Sequence, residues 1–172
     1  EVIDCDPELA DTAQFVEAYG YTLDQSANTL VVIGKSDPPV YVACVVLAST
    51  RLDVNKVVRK KLGVKKCSFA GSDVTEELTG MRVGGVTPIG LSEHMPLWVD
   101  SRVMECERIV LGGGSRSCKV IGAPQILTSL PHVEVVEDLA KTTGSCIAVI
   151  GFVDAGVGNQ VASGRPVIYN AA

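Results

Sequence analysis

Aromatic residues are scarce in this chain: one Trp, four Tyr and three Phe among 172 residues. So few rings argue against a surface that binds single-stranded nucleic acid by stacking successive bases. No CxxC pair is present, and the two histidines, His94 and His132, have no Cys or carboxylate at ligand spacing. No metal or organic cofactor is expected. Six cysteines (5, 44, 67, 106, 118 and 146) are scattered along the chain. A disulfide framework is not expected in a chain of this size with so apolar a core, so the expected compartment is reducing and cytoplasmic. Cys44, Cys118 and Cys146 lie in apolar or strand-like runs and read as small buried hydrophobes. The apolar stretch from Cys146 to Val153 is far shorter than the roughly 20 residues that span a bilayer, and no signal peptide is visible, so no membrane partner is expected.

The composition is 47% hydrophobic and 20% charged, which fits one globular domain with a largely aliphatic core. The net charge of −5 is unevenly spread. Residues 1–50 carry eight acids (Glu1, Asp4, Asp6, Glu8, Asp11, Glu17, Asp24, Asp37) against the single base Lys35. Between Asp53 and Lys66 six bases (Lys56, Arg59, Lys60, Lys61, Lys65, Lys66) face one acid. Such a patch can attract phosphate although the whole protein is acidic; a solvated helix face is the alternative.

Periodicity places a helix over Asp11–Tyr19, with Gly20 to stop it. Thr29–Ile33 and Val40–Leu47 are apolar, β-branched runs that read as two strands joined by a turn. A second helix runs from the capping residue Asp53 to Leu62, with Val54, Val57, Val58 and Leu62 inward and Gly63 at its end. Asp73 and Glu76 have the spacing of a capping box for a short third helix. Pro96–Val99, Arg108–Leu111 and Cys118–Ile121 read as strands, and Pro124–Leu130 as a helix with Pro in its first turn. Helices interspersed among strands without regular βαβ alternation predict an α/β (α+β) domain on a mixed, largely antiparallel, curved sheet.

The densest chemical signal is Gly80-Met81-Arg82-Val83-Gly84-Gly85-Val86-Thr87-Pro88-Ile89-Gly90, four glycines and a proline in eleven residues. Glycine permits positive φ and close approach to the main chain, and proline removes a donor and fixes φ. A loop of this kind can present backbone amides to a carbonyl or an oxyanion; a tight connection between elements is the plainer reading. Gly112-Gly113-Gly114-Ser115 lacks the Gly-Lys-Ser/Thr ending of a phosphate loop. Arg116, which follows it, suits either a phosphate or carbonyl contact or a structural ion pair.

Gly84-Gly85-Val86-Thr87-Pro88, preceded by Leu78-Thr79-Gly80, resembles the GxxxP loop of the YbaK/EbsC family. These are aminoacyl-tRNA editing proteins similar to the editing insertion of bacterial prolyl-tRNA synthetase. Arg51-Leu52-Asp53 with Val57 to Gly63, Ser68-Phe69-Ala70, Leu97-Trp98-Val99-Asp100 and Leu111 to Arg116 continue the match in order. The resemblance covers about Asp4 to Ala140 and implies a YbaK-like editing domain over residues 1–141, with residues 142–172 a tail of open role.

The resemblance implies hydrolysis of the ester of a misacylated tRNA, with the carbonyl held by amides of Gly84, Gly85, Val86, Thr87 and Pro88's loop. Misacylated tRNA is the implied partner, an aminoacyl-tRNA synthetase a second one, and DNA is not expected. Asn28 stands where the family has a strand lysine, and it brings hydrogen bonds but no charge. Lys119 aligns with another polar position of the family, so an ammonium would have moved across the pocket if Lys119 points inward. Arg116, Lys119, Ser115 and Gly114 are then the substrate-binding candidates, and Lys56, Arg59, Lys60 and Lys61 the tRNA-binding ones. A catalytically inactive module that binds aminoacyl-tRNA or a synthetase is the alternative.

Overall fold

The computed structural model describes residues 1–143, so Cys146 and the tail from 144 onward lie outside the described residues. The architecture is built on one long hairpin. β2 (Ala27–Gly34) and β3 (Val40–Leu47) pair antiparallel along their full eight residues, from Ala27 opposite Leu47 to Gly34 opposite Val40. Their β-branched runs suit a pleated surface that is buried on both faces. β5 (Cys67–Phe69) adds antiparallel to β2, while β6 (Leu97–Asp100) and β9 (Val133–Val136) add in parallel beyond β3. The order β5-β2-β3-β6-β9 makes a mixed five-stranded sheet. A second sheet, β1-β8-β7, joins β1 (Val2–Asp4), β8 (Cys118–Gly122) and β7 (Ile109–Gly112), all antiparallel. A bridge from Ser26 to Val110 links the two sheets. β4 (Thr50–Leu52) pairs with β10 (Ala140–Thr142).

The two faces of the hairpin bury separate cores. Ala27, Ala43, Val45, Leu97, Val99 and Leu111 lie on one face; Val32, Val42, Cys44, Val46 and Trp98 lie on the other. Each fully buried aliphatic side chain contributes about 1.5–3 kcal/mol. A third cluster places Phe15 of α1 (Thr12–Tyr19) against Val110 and Ile121 of the small sheet. Asp100 ties the far edge together: wholly buried, it accepts hydrogen bonds from the Ala140 N–H, the Arg102 N–H and the Arg102 guanidinium.

Several sequence expectations need correction. The capping box at Asp73 does not form, because α3 (Ser72–Thr79) is entered through extended Gly71, with no side-chain cap. Asp73 is thus the second helical residue, where its charge favours the helix N-terminus but Glu76 is too far along to reach back. The second helix is not uniform: the Asp53 carbonyl accepts from both the Val57 and Val58 N–H groups, giving a π turn over Val54–Val58 before α2 (Arg59–Leu62). Its end at Gly63 and its inward valines stand as expected. Pro124–Ser129 is 3-10 rather than α. Cys44 is buried, whereas Cys118, at the start of β8 beside a tight turn, is only half-buried. α4 (Ser101–Met104) and the three- and four-residue strands β1, β4, β5, β9 and β10 carry no periodicity of their own.

Candidate active site

α3 ends at Gly80 in the left-handed region, and the chain then turns through the glycine-proline loop under β7 and β8. That loop is clamped through its carbonyls. Arg116 Nη1 donates to the Val83 oxygen at 3.0 Å, Lys119 Nζ to the Gly84 oxygen at 2.9 Å, and the Gly114 N–H to the Gly85 oxygen at 2.8 Å. Three consecutive carbonyls are thus held by donors from one stretch, Gly114 to Lys119. In a trans peptide the C=O and the following N–H point in opposite directions. Holding the Val83 and Gly85 carbonyls therefore turns the Gly84 and Val86 N–H groups away from that stretch. The Gly85 N–H is spent on the Arg82 carbonyl, the Thr87 N–H lies against Met81 Sδ, and Pro88 has none. Among the described residues, the Gly84 and Val86 N–H groups have no partner.

Glycine is required here on steric grounds. Gly84 has φ +91, and a Cβ on it would collide with the Arg116 guanidinium. A Cβ on Gly85 would strike the Ser115 backbone, and one on Gly112 would strike the Val86 and Gly85 carbonyl oxygens.

Beside the loop lies a cavity of about 440 Å³, lined by Gly84, Val86, Lys119, Asn28 and Thr29 among others. It opens where β2 loses its outer neighbour. Gln25 O accepts from the Val110 N–H and Val31 O from the Ala70 N–H, both on the side away from β3. Strand parity gives Ala27 and Thr29 the same outward direction, so their N–H and C=O groups face a gap that no described strand fills. Thr29 Oγ1 is buried without a partner among the described residues. Asn28 Oδ1 accepts from the Thr12 hydroxyl at 2.9 Å.

Lys119 points inward, only 7% exposed. Its ammonium donates to the Ala10 and Gly84 carbonyls and lies 5.3 Å from the Phe15 ring centroid. Burial pulls its pKa below the usual lysine value, partly offset by Cys5 and Asp11 nearby. Of three N–H donors, one remains uncommitted among the described residues. Arg116 takes the structural part of its two sequence readings. It forms a bidentate pair with Asp11 at 3.0 and 3.2 Å and also donates to the Pro7 carbonyl. The hydrogen bond from Arg116 holds the Asp11 carboxyl below the ordinary carboxylate value.

The cavity therefore gathers Gly84, Val86, Asn28 and Lys119 of the sequence candidates. Gly85, Thr87 and Pro88 are buried behind it, and Gly114, Ser115 and Arg116 are outside its lining. Asp11, Thr12, Thr29 and Gly112 line it and were not singled out as site residues from the sequence. Only the run of glycines at 112–114 carried a signal, the need for close backbone approach.

The model of the aminoacyl-tRNA editing domain matches residues 6–130, most of the chain. The chain belongs to that family. It is 27% identical over 125 residues to the "Putative Cys-tRNA(Pro)/Cys-tRNA(Cys) deacylase EbsC" of Enterococcus faecalis (strain ATCC 700802 / V583), covering 73% of this chain and 74% of that one. It is 26% identical over 141 residues to the "Uncharacterized protein YwhH" of Bacillus subtilis (strain 168), covering 82% and 87%. A solved structure described as "a putative trans-editing enzyme for prolyl tRNA synthetase" shares the fold at TM-score 0.70 and 23% identity, over 82% of this chain and 85% of that one. Another, "hypothetical protein APE2540", does so at TM-score 0.72 and 23% identity, over 82% and 91%. The resemblance to the YbaK/EbsC family drawn from the sequence therefore holds.

In this editing domain the basic residues after Asp53 lie elsewhere. Lys56, Lys60 and Lys61 line a second cavity that shares no residue with the first, and Arg59, which donates to the Asn55 carbonyl, is not in its lining. No helix of the described residues is long and apolar enough to cross a membrane.

Proposed function

We propose that this editing domain hydrolyses the ester between a wrongly attached amino acid and the terminal adenosine of a tRNA. The observation that carries the reading is the clamped loop, which leaves the Gly84 and Val86 N–H groups uncommitted at a cavity wall. The aminoacyl carbonyl oxygen sits against those two donors. Water attacks the carbonyl carbon, and negative charge develops on that oxygen. Collapse of the tetrahedral intermediate breaks the bond to the ribose oxygen, releasing the amino acid and leaving a ribose hydroxyl. One preorganised donor of this type is worth about 10²–10³ in rate. An aminoacyl ester is already activated, so positioning and polarisation supply much of the acceleration.

Asn28 and Lys119 stand at the same cavity. In this reading Asn28 orients the substrate, and Lys119 fixes the loop through the Gly84 carbonyl while its free N–H offsets developing charge. Arg116 and Gly114 act one step back, as holders of the loop. The names of the relatives support misacylated tRNA as substrate, and a synthetase as a partner in trans-editing.

Two observations favour a non-catalytic module instead: β2 carries Asn28 rather than a lysine, and two of the Lys119 donors are occupied. A single experiment decides. Purified protein and a Gly84→Ala variant are given Ala-, Cys- and Ser-tRNAPro, with Pro-tRNAPro as control. Turnover of a mischarged species that is lost in the variant supports editing. Salt-dependent tRNA binding without turnover of any species makes the protein a binding module.

A further inference from the structure

The second cavity, of about 730 Å³, sits where four elements converge. Lys56, Lys60 and Lys61 come from the π turn and α2, Arg102 from α4, and Lys141 from β10. Two carboxylates, Asp53 and Asp138, share the lining, so five cations face two anions.

The commitments of these cations differ. Arg102 is spent on Asp100, Asp138 and the Ala140 carbonyl. Lys61 pairs with Glu134 at 2.7 Å and stands 5.1 Å from the centroid of Trp98. Lys141 Nζ reaches Asp53 Oδ2 at 2.7 Å, and that buried carboxylate also accepts from the Lys56 N–H, pinning the wall. Lys56 and Lys60 have exposed side chains without an ion-pair partner among the described residues. Two free ammonium groups beside partly neutralised ones, in a concave site on an otherwise acidic protein, attract a phosphate group.

We infer that this cavity, through Lys56, Lys60 and Lys141, grips a backbone phosphate of the tRNA, away from the ester; the inference rests on the editing reading above. The first cavity lies at the outer edge of β2, whereas Lys61 stands over β6, two strands across the sheet. At about 4.8 Å per strand that is some 10 Å within the sheet plane alone. The phosphate held is therefore one further along the acceptor arm than that of the terminal nucleotide. Contacts of this kind position the substrate without reading its sequence.

The test uses the full chain and compares a misacylated tRNA with the matching aminoacyl-adenosine, which has the same ester but no distant phosphate. In a Lys56→Ala/Lys60→Ala variant, the ratio of kcat/KM for the tRNA to that for the adenosine ester should fall tenfold or more. The slope of log affinity for tRNA against log salt should flatten by about 0.7, the value for one lost phosphate contact to a single strand. A Lys65→Ala/Lys66→Ala variant removes equal charge from exposed residues outside the cavity and should leave the ratio within twofold. An unchanged ratio in the first variant overturns the inference, as does an equal fall in both variants, which would signify diffuse charge. If the parent hydrolyses neither ester, the editing reading fails separately. The inference is then read from tRNA binding alone, and equal affinity of parent and first variant overturns it.

Discussion

Replacing Gly112 with Ala should separate the position of the loop from the chemistry of any side chain. Gly112 has no unusual φ, so the new methyl adds no backbone strain of its own. Its Cβ would sit 2.7 Å from the Gly85 oxygen and closer still to the Val86 oxygen. Ordinary contact begins near 3.4 Å, so the loop must retreat by about 0.7 Å from one carbonyl and by more from the other. The Gly114 N–H bond to Gly85 O resists that movement. Overpacking of this kind costs about 1–3 kcal/mol. For a chain of this length that is a fall in Tm of roughly 3–10 °C. A displacement approaching 1 Å at a reacting centre costs on the order of 100-fold in rate. Thermal melting and single-turnover deacylation of the mischarged tRNA that the parent accepts, run on the same preparation, check both numbers. A variant that loses the expected stability yet keeps the parent rate would refute the claim that the amides of this loop hold the carbonyl. A variant with parent stability and parent rate would refute the close approach itself.

Three further outcomes follow from single interactions. Removal of Asp100 by substitution with Ala strands the buried Ala140 N–H and the Arg102 guanidinium; chemical denaturation should show a loss of about 3 kcal/mol with little change in m-value. Asp11 has a folded pKa below its ordinary 3.8 because Arg116 bonds to its carboxylate. The stabilisation from that pair is therefore complete above pH 3.8 and lost as pH falls through the lower folded value. The Tm gap between parent and Asp11→Asn should accordingly stay constant from pH 7 down to about 4, then close; a gap that closes near pH 5 would contradict the pairing. Burial pushes the Cys44 thiol up to about 12. At pH 7.5 it should resist alkylation in the native protein and react only on unfolding, as read by peptide mass spectrometry.

The hairpin was legible because eight-residue β-branched runs on either side of a Gly/Pro turn have few other uses. α1, with its stripe of apolar residues and Gly20 cap, was equally plain. The three-residue strands escaped notice because β1, β4 and β10 are strands only through their partners. At the site, the order of motifs identified the glycine-proline loop and Asn28, since those signals reside in contiguous residues. It named Arg116 and Lys119 but not their work, and it passed over Thr29, whose buried hydroxyl looks like any strand threonine in the sequence.

By itself the sequence determined the family, the main hairpin, the helix stops and the loop whose glycines admit a close backbone, because each depends on local φ/ψ preference or short-range spacing. Tertiary structure alone decided which amides of that loop remain free. Two of the three donors that hold its carbonyls lie 33 and 35 residues downstream, and the Arg116 pair with Asp11 spans 105 residues. It also decided that Lys141 joins Lys56 and Lys60, far apart in the chain but brought together by the pairing of β4 with β10. Local preference acts over a turn or two, whereas side chains meet across such separations only after strand register is set.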